Sequence, residues 1–160
     1  MKKVMIMAVC FAVLIASSPA WAGAGKAGHG HDDELAFGEP GDPKTPAREI
    51  AVVMKEGDGK MLFEPDSITV KKGEQIRFKL KNEGELDHEL VLGTLEDNLK
   101  HGHEMEKNPD MEHDDPNGKR LAPGASDEIL WKFSKAGTFD FSCLIPGHRE
   151  AGMSGSVAVK

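Results

Sequence analysis

Short segments in which polar and apolar residues alternate, separated by turn residues, recur in this chain from Arg48 onward. They cover residues 48–54, 67–70, 75–80, 89–92, 128–133, 138–142 and 155–159. Such alternation indicates strands with one buried face, and no segment shows a convincing helical period over three turns. About seven short strands predict an all-β fold, an antiparallel β-sandwich of two sheets. The turn at 71–74 further predicts a hairpin between strands 67–70 and 75–80.

The first 22 residues have the pattern of a secretory signal peptide. Two lysines precede an apolar run over residues 4–15, and small residues follow at Ala20 and Ala22. The run is shorter than the roughly 20 residues that a membrane-spanning helix needs. We therefore predict cleavage after Ala22 and a periplasmic protein that is not inserted in the membrane.

The remainder of the chain predicts one folded domain. Residues 23–47 are rich in Gly, Ala, Pro, Asp and Glu, a composition that buries little surface, so we expect a flexible N-terminal arm. Residues 48–160 form the domain, which we expect to be a monomer. The formal charge of the chain is −7, and no basic cluster is present, which argues against a nucleic-acid partner.

The cysteine count points to metal chemistry. The chain has two cysteines, and Cys10 lies inside the predicted signal peptide, so Cys143 alone remains after cleavage. A single cysteine in an exported protein forms no internal disulfide and is either a stray thiol or a ligand. Coordination to a metal removes the liability of a free thiol, and we therefore interpret Cys143 as a ligand.

One short loop after the strand at 138–142 carries three side chains that bind copper. Cys143, His148 and Met153 follow one another with four residues between each pair. Soft sulfur ligands select copper, and two His and one Cys with a long axial Met is the geometry of blue-copper sites. The best candidate for the second imidazole is His88, at the start of the strand over 89–92.

The pattern Cys-x4-His-x4-Met, with a distant His upstream, resembles the cupredoxin family over residues 48–160. The resemblance implies a Greek-key sandwich and one type 1 copper site that cycles between Cu(I) and Cu(II). His88, Cys143, His148 and Met153 are then the ligands. One departure is Glu89, because many blue-copper proteins have Asn or Ser after the first His ligand, where it helps to order the Cys loop.

Copper enzymes are a poorer match to these residues, and we predict that the chain is not an enzyme. A binuclear purple site needs a second bridging cysteine, but position 147 is Gly. Enzymes that couple a blue site to a catalytic copper usually have a His beside the Cys, where this chain has Ser142. A trinuclear cluster needs paired His-x-His motifs from several domains.

A long segment between the strands, residues 93–120, predicts an irregular insertion with its own metal chemistry. It holds three His and two Met among carboxylates, namely His101, His103, Met105, Met111 and His113. The plain interpretation is an acidic, solvated loop. Because Met is rarely chosen for a hydrated loop and thioethers suit Cu(I), we predict a second, weaker copper site here.

This insertion decides between functions. The chain is similar to periplasmic copper-tolerance cupredoxins, which carry such His/Met-rich segments, and this favours copper handling. The alternatives are a one-electron carrier between periplasmic redox partners and an accessory protein that delivers copper. In each case the expected partners are the copper ion and unidentified periplasmic redox or copper-handling proteins.

Overall fold

Two five-stranded β-sheets that share one hydrophobic core make up the part of the chain that this computed structural model describes, residues 35–108 and 115–160. The elements are β1 (Glu39–Pro40), β2 (Arg48–Gly57), β3 (Lys60–Glu64), β4 (Ser67–Val70), β5 (Gln75–Asn82), β6 (His88–Gly93), α1 (Leu95–Lys107), β7 (Gly118–Leu121), β8 (Ser126–Lys132), β9 (Gly137–Ser142) and β10 (Ser154–Val159). The predicted sandwich is confirmed.

The sheets are mixed, which differs from the antiparallel prediction. The first has the strand order β1-β8-β5-β2-β3 and the second β4-β10-β9-β6-β7. The β2–β5 and β4–β10 pairs are parallel, and the other pairs are antiparallel. The predicted hairpin of β4 with β5 is wrong, because these strands lie in different sheets. Their alternating patterns are real, but the turn at 71–74 carries the chain across the core from one sheet to the other.

The core follows from the alternation of the strands. In β4 the burial alternates residue by residue, with Ile68 and Val70 buried. In β8 the side chains of Ile129 and Trp131 point into the same core. Phe78 of β5 contacts Phe133 edge to face, with 6.2 Å between ring centroids. Burial of such aromatic groups stabilises each sheet against the other.

Part of the predicted flexible arm is packed against the first sheet. Phe37 is buried and stacks on Trp131 with 5.0 Å between ring centroids. The Gln75 side chain accepts from the backbone N–H of Asp42 at 2.8 Å and donates to the Thr45 carbonyl at 2.9 Å. For residues 35–47 the prediction of an arm is therefore wrong, since one aromatic residue anchors this polar segment. The predicted signal peptide and residues 23–34 lie outside the described residues.

A helix, α1, occupies part of the insertion that was predicted to be irregular. Thr94 caps it by accepting from the backbone N–H of Asp97 at 3.1 Å. Two of its residues, Asn98 and Met105, are buried, and one of these is polar, so the apolar period is weak. The cap and acidic first turn, rather than hydrophobic periodicity, mark this helix. Within the described residues no helix has the length and apolar character required to cross a membrane.

Candidate metal centre

Three of the four predicted ligands converge on one buried point. A donor atom from each of His88, Cys143 and His148 lies within 4.8 Å of the other two. The two Nδ1 atoms are 3.2 Å apart, and Cys143 Sγ is 3.3 Å from His148 Nδ1. In residues 35–108 and 115–160, this is the only group of three or more His, Cys, Asp or Glu side chains placed to hold a metal ion. His148 is 9% exposed, whereas the other two are fully buried.

The loop between β9 and β10 is held together by its own backbone. Cys143 directly follows β9, and Met153 directly precedes β10. The Cys143 N–H donates to the Met153 carbonyl at 3.1 Å, and the Met153 N–H donates to the His148 carbonyl at 3.0 Å. Gly147, with φ of +86°, provides the left-handed conformation of the turn. Met153, the fourth predicted ligand, is fully buried in this loop.

Glu56 contacts His88 from the opposite sheet. Its Oε1 atom lies 2.8 Å from His88 Nε2, and its carboxylate also accepts from the backbone N–H groups of Glu85 and Leu86. Partial burial acts to raise the pKa of Glu56, but the backbone donors and the His88 ring outweigh it and lower the pKa below its ordinary value. Glu56 is therefore a carboxylate at neutral pH.

Glu89, the departure from the family pattern, orders the Cys loop. Its backbone N–H donates to Cys143 Sγ at 3.4 Å. Its buried side chain accepts from the Leu144 N–H at 2.9 Å through Oε1. The carboxylate thus connects β6 to the residue after Cys143. At this position a glutamate orders the Cys loop, which is the role expected of Asn or Ser.

A second polar cluster supports the loop from the other side. The Asp140 carboxylate accepts two bonds from the Arg149 guanidinium, at 2.9 and 3.0 Å. It also accepts from Asn98 of α1 at 2.7 Å and from the Ser142 hydroxyl. Ser142 precedes Cys143 and Arg149 follows His148, so this cluster ties helix α1 and β9 to the start and the middle of the ligand loop.

Burial favours the neutral forms of Cys143 and His148 while no cation is bound. Desolvation raises the pKa of the Cys143 thiol to about 12, despite the hydrogen bond from the Glu89 N–H. Desolvation and the neighbouring His88 lower the pKa of His148 below its ordinary value. A metal cation reverses this preference at the sulfur, because a coordinated thiol is deprotonated.

The donor set fits a transition-metal ion. In zinc sites, which illustrate first-row metals, the metal lies about 2.0–2.1 Å from imidazole nitrogen and about 2.3 Å from thiolate sulfur. These bond lengths place two ligand atoms roughly 3.3–3.8 Å apart. The separations of 3.2 and 3.3 Å between the donors here are close to that range. Two imidazoles and one cysteine sulfur, with the thioether of Met153 in the loop of Cys143 and His148, are the ligands that select copper.

Comparison with protein families supports the same assignment. Residues 50–160 match the copper-binding proteins of the plastocyanin/azurin family. The chain belongs to this family. It is 49% identical over 132 residues to the "Copper-resistant cuproprotein CopI" of Rubrivivax gelatinosus, a match that covers 82% of this chain and 78% of that protein. A protein of the same name from Pseudomonas aeruginosa is 35% identical over 187 residues, with 99% and 94% of the two chains covered.

Solved structures show the same fold for this plastocyanin/azurin family member. Auracyanin B superposes with a TM-score of 0.63 at 24% identity, covering 78% of this chain and 96% of that chain. Auracyanin from the photosynthetic bacterium Roseiflexus castenholzii gives a TM-score of 0.59 at 24% identity, with 72% and 99% covered. The predicted cupredoxin fold is thereby confirmed. The family match and the convergence of His88, Cys143 and His148 confirm the predicted copper cofactor.

The described residues include three members of the predicted second copper site, His101, His103 and Met105, all on α1. His101 and His103 lie two positions apart on α1, and residues so spaced do not share a helix face. Met105 is fully buried, whereas the His103 side chain is largely exposed and lies 3.3 Å from Glu106. Met111 and His113 lie outside the described residues. A second copper site in this family member stays a prediction.

The sequence alone missed the residues that support the ligands. In the sequence, Glu56 precedes the turn residues Gly57, Asp58 and Gly59 and lies 32 positions from His88, so no local pattern reveals their contact. Asp140 lies between Phe139 and Phe141, so alternation predicts that it faces solvent, but in the structure it is buried and bonded to Asn98 of α1. The one usable signal was Arg149, a charged residue inside the ligand loop that requires a partner once it is half-buried.

Proposed function

We propose that this chain is an exported protein that binds one copper ion through His88, Cys143, His148 and Met153 and acts in copper tolerance. The observation that carries the proposal is the convergence of two imidazole nitrogens and one cysteine sulfur in a buried site. The copper-resistant cuproproteins that the chain resembles support the tolerance role.

The side chains fit this task. Copper, when bound, supplies a one-electron couple between Cu(I) and Cu(II). The thiolate of Cys143 and the thioether of Met153 suit Cu(I), and the two imidazoles suit Cu(II). The hydrogen-bonded loop keeps these donors in place in both oxidation states. Burial of His88, Cys143 and Met153 excludes water from the site.

Copper tolerance is tested in a copper-sensitive bacterial host. Expression of the wild-type chain should raise the copper concentration at which growth stops, and Cys143→Ser, at equal abundance in the same compartment, should not. Glu39→Gln is the control, because it changes an exposed side chain outside the four proposed ligands and outside residues 93–120. Equal protection by the wild type and Cys143→Ser contradicts the proposal.

The periplasm is the proposed location, supported by the signal-peptide pattern of residues 1–22. Amino-terminal sequencing of the protein from a periplasmic fraction should begin at Gly23. Recovery of the full-length chain in the cytoplasmic fraction contradicts this. We also propose a monomer without enzymatic turnover, which sedimentation of the copper-loaded protein and assays of oxygen and nitrite consumption test.

Electron transfer is the second candidate function. His148 is the one of the four proposed ligands that is not fully buried, with 9% of its surface exposed, and it gives electrons a short route to the surface. A carrier role predicts fast electron self-exchange of the copper-loaded protein, measured by NMR line broadening. Fast exchange without any protection of the host favours the carrier, and protection with slow exchange favours tolerance.

A further inference from the structure

A carboxylate that the copper-ligand pattern does not include reaches the centre from the first sheet. Glu56 lies near the end of β2, and His88 begins β6 in the other sheet. Glu56 Oε1 is 2.8 Å from His88 Nε2. The His88 ring is fully buried, and the Glu56 side chain is 27% exposed. The contact therefore joins the two sheets at the edge of the proposed copper site, through the ring nitrogen that does not face His148.

Backbone donors and the space beside a glycine hold the Glu56 carboxylate in place. The N–H groups of Glu85 and Leu86 donate to its two oxygens at 3.0 and 3.1 Å. A Cβ on Gly84 would lie 2.3 and 2.7 Å from these oxygens, so the carboxylate occupies space that only glycine leaves open. The Asn82 side chain fixes the same turn, since it accepts from the Gly84 N–H at 2.9 Å and donates to the Leu86 carbonyl at 2.8 Å.

This arrangement fixes the state of the imidazole. An ionised carboxylate at Nε2 requires that nitrogen to carry the proton, which leaves the lone pair of the neutral ring on Nδ1. Nδ1 of His88 is the atom that faces His148 Nδ1, at 3.2 Å. Carboxylate partners of metal-ligating histidines orient the ring and raise its basicity. A more basic ligand with a nearby negative charge stabilises Cu(II) more than Cu(I).

We propose that Glu56 is a positioning residue of the copper centre, which fixes the Nδ1 lone pair of His88 toward the metal and biases the site toward Cu(II). The inference rests on the proposed ligand set. It deepens the proposed function, because a site that favours Cu(II) retains the copper that predominates under oxidising conditions outside the cytoplasm.

Two variants remove the contact by different routes. Glu56→Gln removes the charge, and Gly84→Ala displaces the carboxylate while leaving it in the chain. The matched controls are Glu39→Gln, which removes a carboxylate paired with Lys132, and Gly57→Ala, where an added Cβ meets nothing within 4 Å. All four are compared with the wild type.

The first readout needs no copper. Nitrogen-15 NMR of the metal-free protein should show His88 protonated at Nε2 in the wild type and in both controls. In Glu56→Gln and Gly84→Ala the ring should exchange between tautomers. A wild-type His88 protonated at Nδ1, or one unchanged in both variants, overturns the inference.

The second readout separates the two oxidation states. Affinities for Cu(II) and Cu(I), from chelator competition, and the reduction potential should be measured on each protein. We expect the two variants to keep the thiolate-to-copper absorption and to lose about 10- to 100-fold in Cu(II) affinity. The Cu(I) affinity should fall less, and a tenfold difference between the two losses corresponds to a potential raised by about 59 mV for one electron.

The outcomes distinguish this inference from the proposed function. Equal losses for Cu(II) and Cu(I), or an unchanged potential, overturn the role of Glu56 while the copper site stands. A wild type that shows no thiolate-to-copper absorption removes the proposed copper site, and with it the bias toward Cu(II).

Discussion

The Cys143 loop and helix α1 both present His and Met, but they arrange them in opposite ways. In the loop, backbone hydrogen bonds and the left-handed Gly147 bring Cys143, His148 and Met153 back toward one another between two strands. In the helix, a rotation of about 100° per residue turns successive side chains away from each other. His103 faces solvent and Met105 faces the core. Residue type therefore identifies a metal site only when the backbone makes the donors converge.

Two fully buried methionines, Met105 on the helix and Met153 in the loop, separate the two regions and give the largest expected effect on stability. Met105→Ala should reduce the free energy of unfolding of the copper-free protein by about 2–5 kcal/mol, because it leaves a cavity under α1. It should leave the thiolate-to-copper absorption in place. Met153→Ala should instead change the absorption spectrum of the copper site. Urea unfolding and visible spectra check both.

Two results for Met105→Ala would contradict this comparison. If Met105→Ala costs less than about 0.5 kcal/mol, the residue behaves as a surface residue rather than a core residue. If it also abolishes the copper absorption, the helix belongs to the main site, and the contrast between the two regions fails.

Asp140 connects the two regions, and its removal gives the next effect. Asp140→Asn loses the ionic bonds to Arg149 and should lower the free energy of unfolding by about 1.5–3 kcal/mol. Thermal or urea unfolding of the copper-free protein measures this. Asp66→Asn, at an exposed position, is the control. Equal stability of the two variants contradicts a supporting role for the cluster.

Glu89 tests how the Cys loop is ordered. Glu89→Ala leaves the buried N–H of Leu144 without its acceptor, which should cost about 1–3 kcal/mol in unfolding free energy. Glu89→Gln retains an acceptor oxygen and should recover most of that loss. The unfolding midpoints of the two variants decide the matter. A glutamine variant as unstable as the alanine variant would show that the charge, and not the hydrogen bond, orders the loop.

The smallest effect is expected from the helix histidines. His103→Ala should leave the affinity for the first copper equivalent within about twofold, because surface substitutions usually change free energies by less than about 0.5 kcal/mol. Chelator competition measures this. The predicted second copper site requires that the double variant His101→Ala/His103→Ala have a lower affinity for a second copper equivalent. A loss of the first equivalent contradicts the separation of the two regions.

The sequence was sufficient where the information is local. Cys143 and His148 lie within one short segment after a strand, and His88 lies at the start of another, and the structure brings these three predicted ligands together. The alternating strands likewise predicted a sandwich. Sheet membership was beyond local reasoning, because a half-buried strand has the same pattern in either sheet.

The rest depended on contacts between distant parts of the chain. Helix α1 escaped prediction because Leu95 and Leu99 are exposed, at 53% and 49%, while the buried side of the helix contains the polar Asn98. In the sequence, Glu56 has the pattern of a turn residue, and only the folded chain brings it to His88. Polar residues that act across sheets leave no periodic signal in a single sequence.

The most direct test of the copper site is a titration of the purified mature protein with Cu(II), followed by visible absorption and by metal analysis, beside Cys143→Ser. We expect an intense thiolate-to-copper absorption that saturates at one equivalent in the wild type and is lost in Cys143→Ser. Absence of that absorption in the wild type, or its persistence in Cys143→Ser, contradicts the assignment of His88, Cys143, His148 and Met153 as a copper centre.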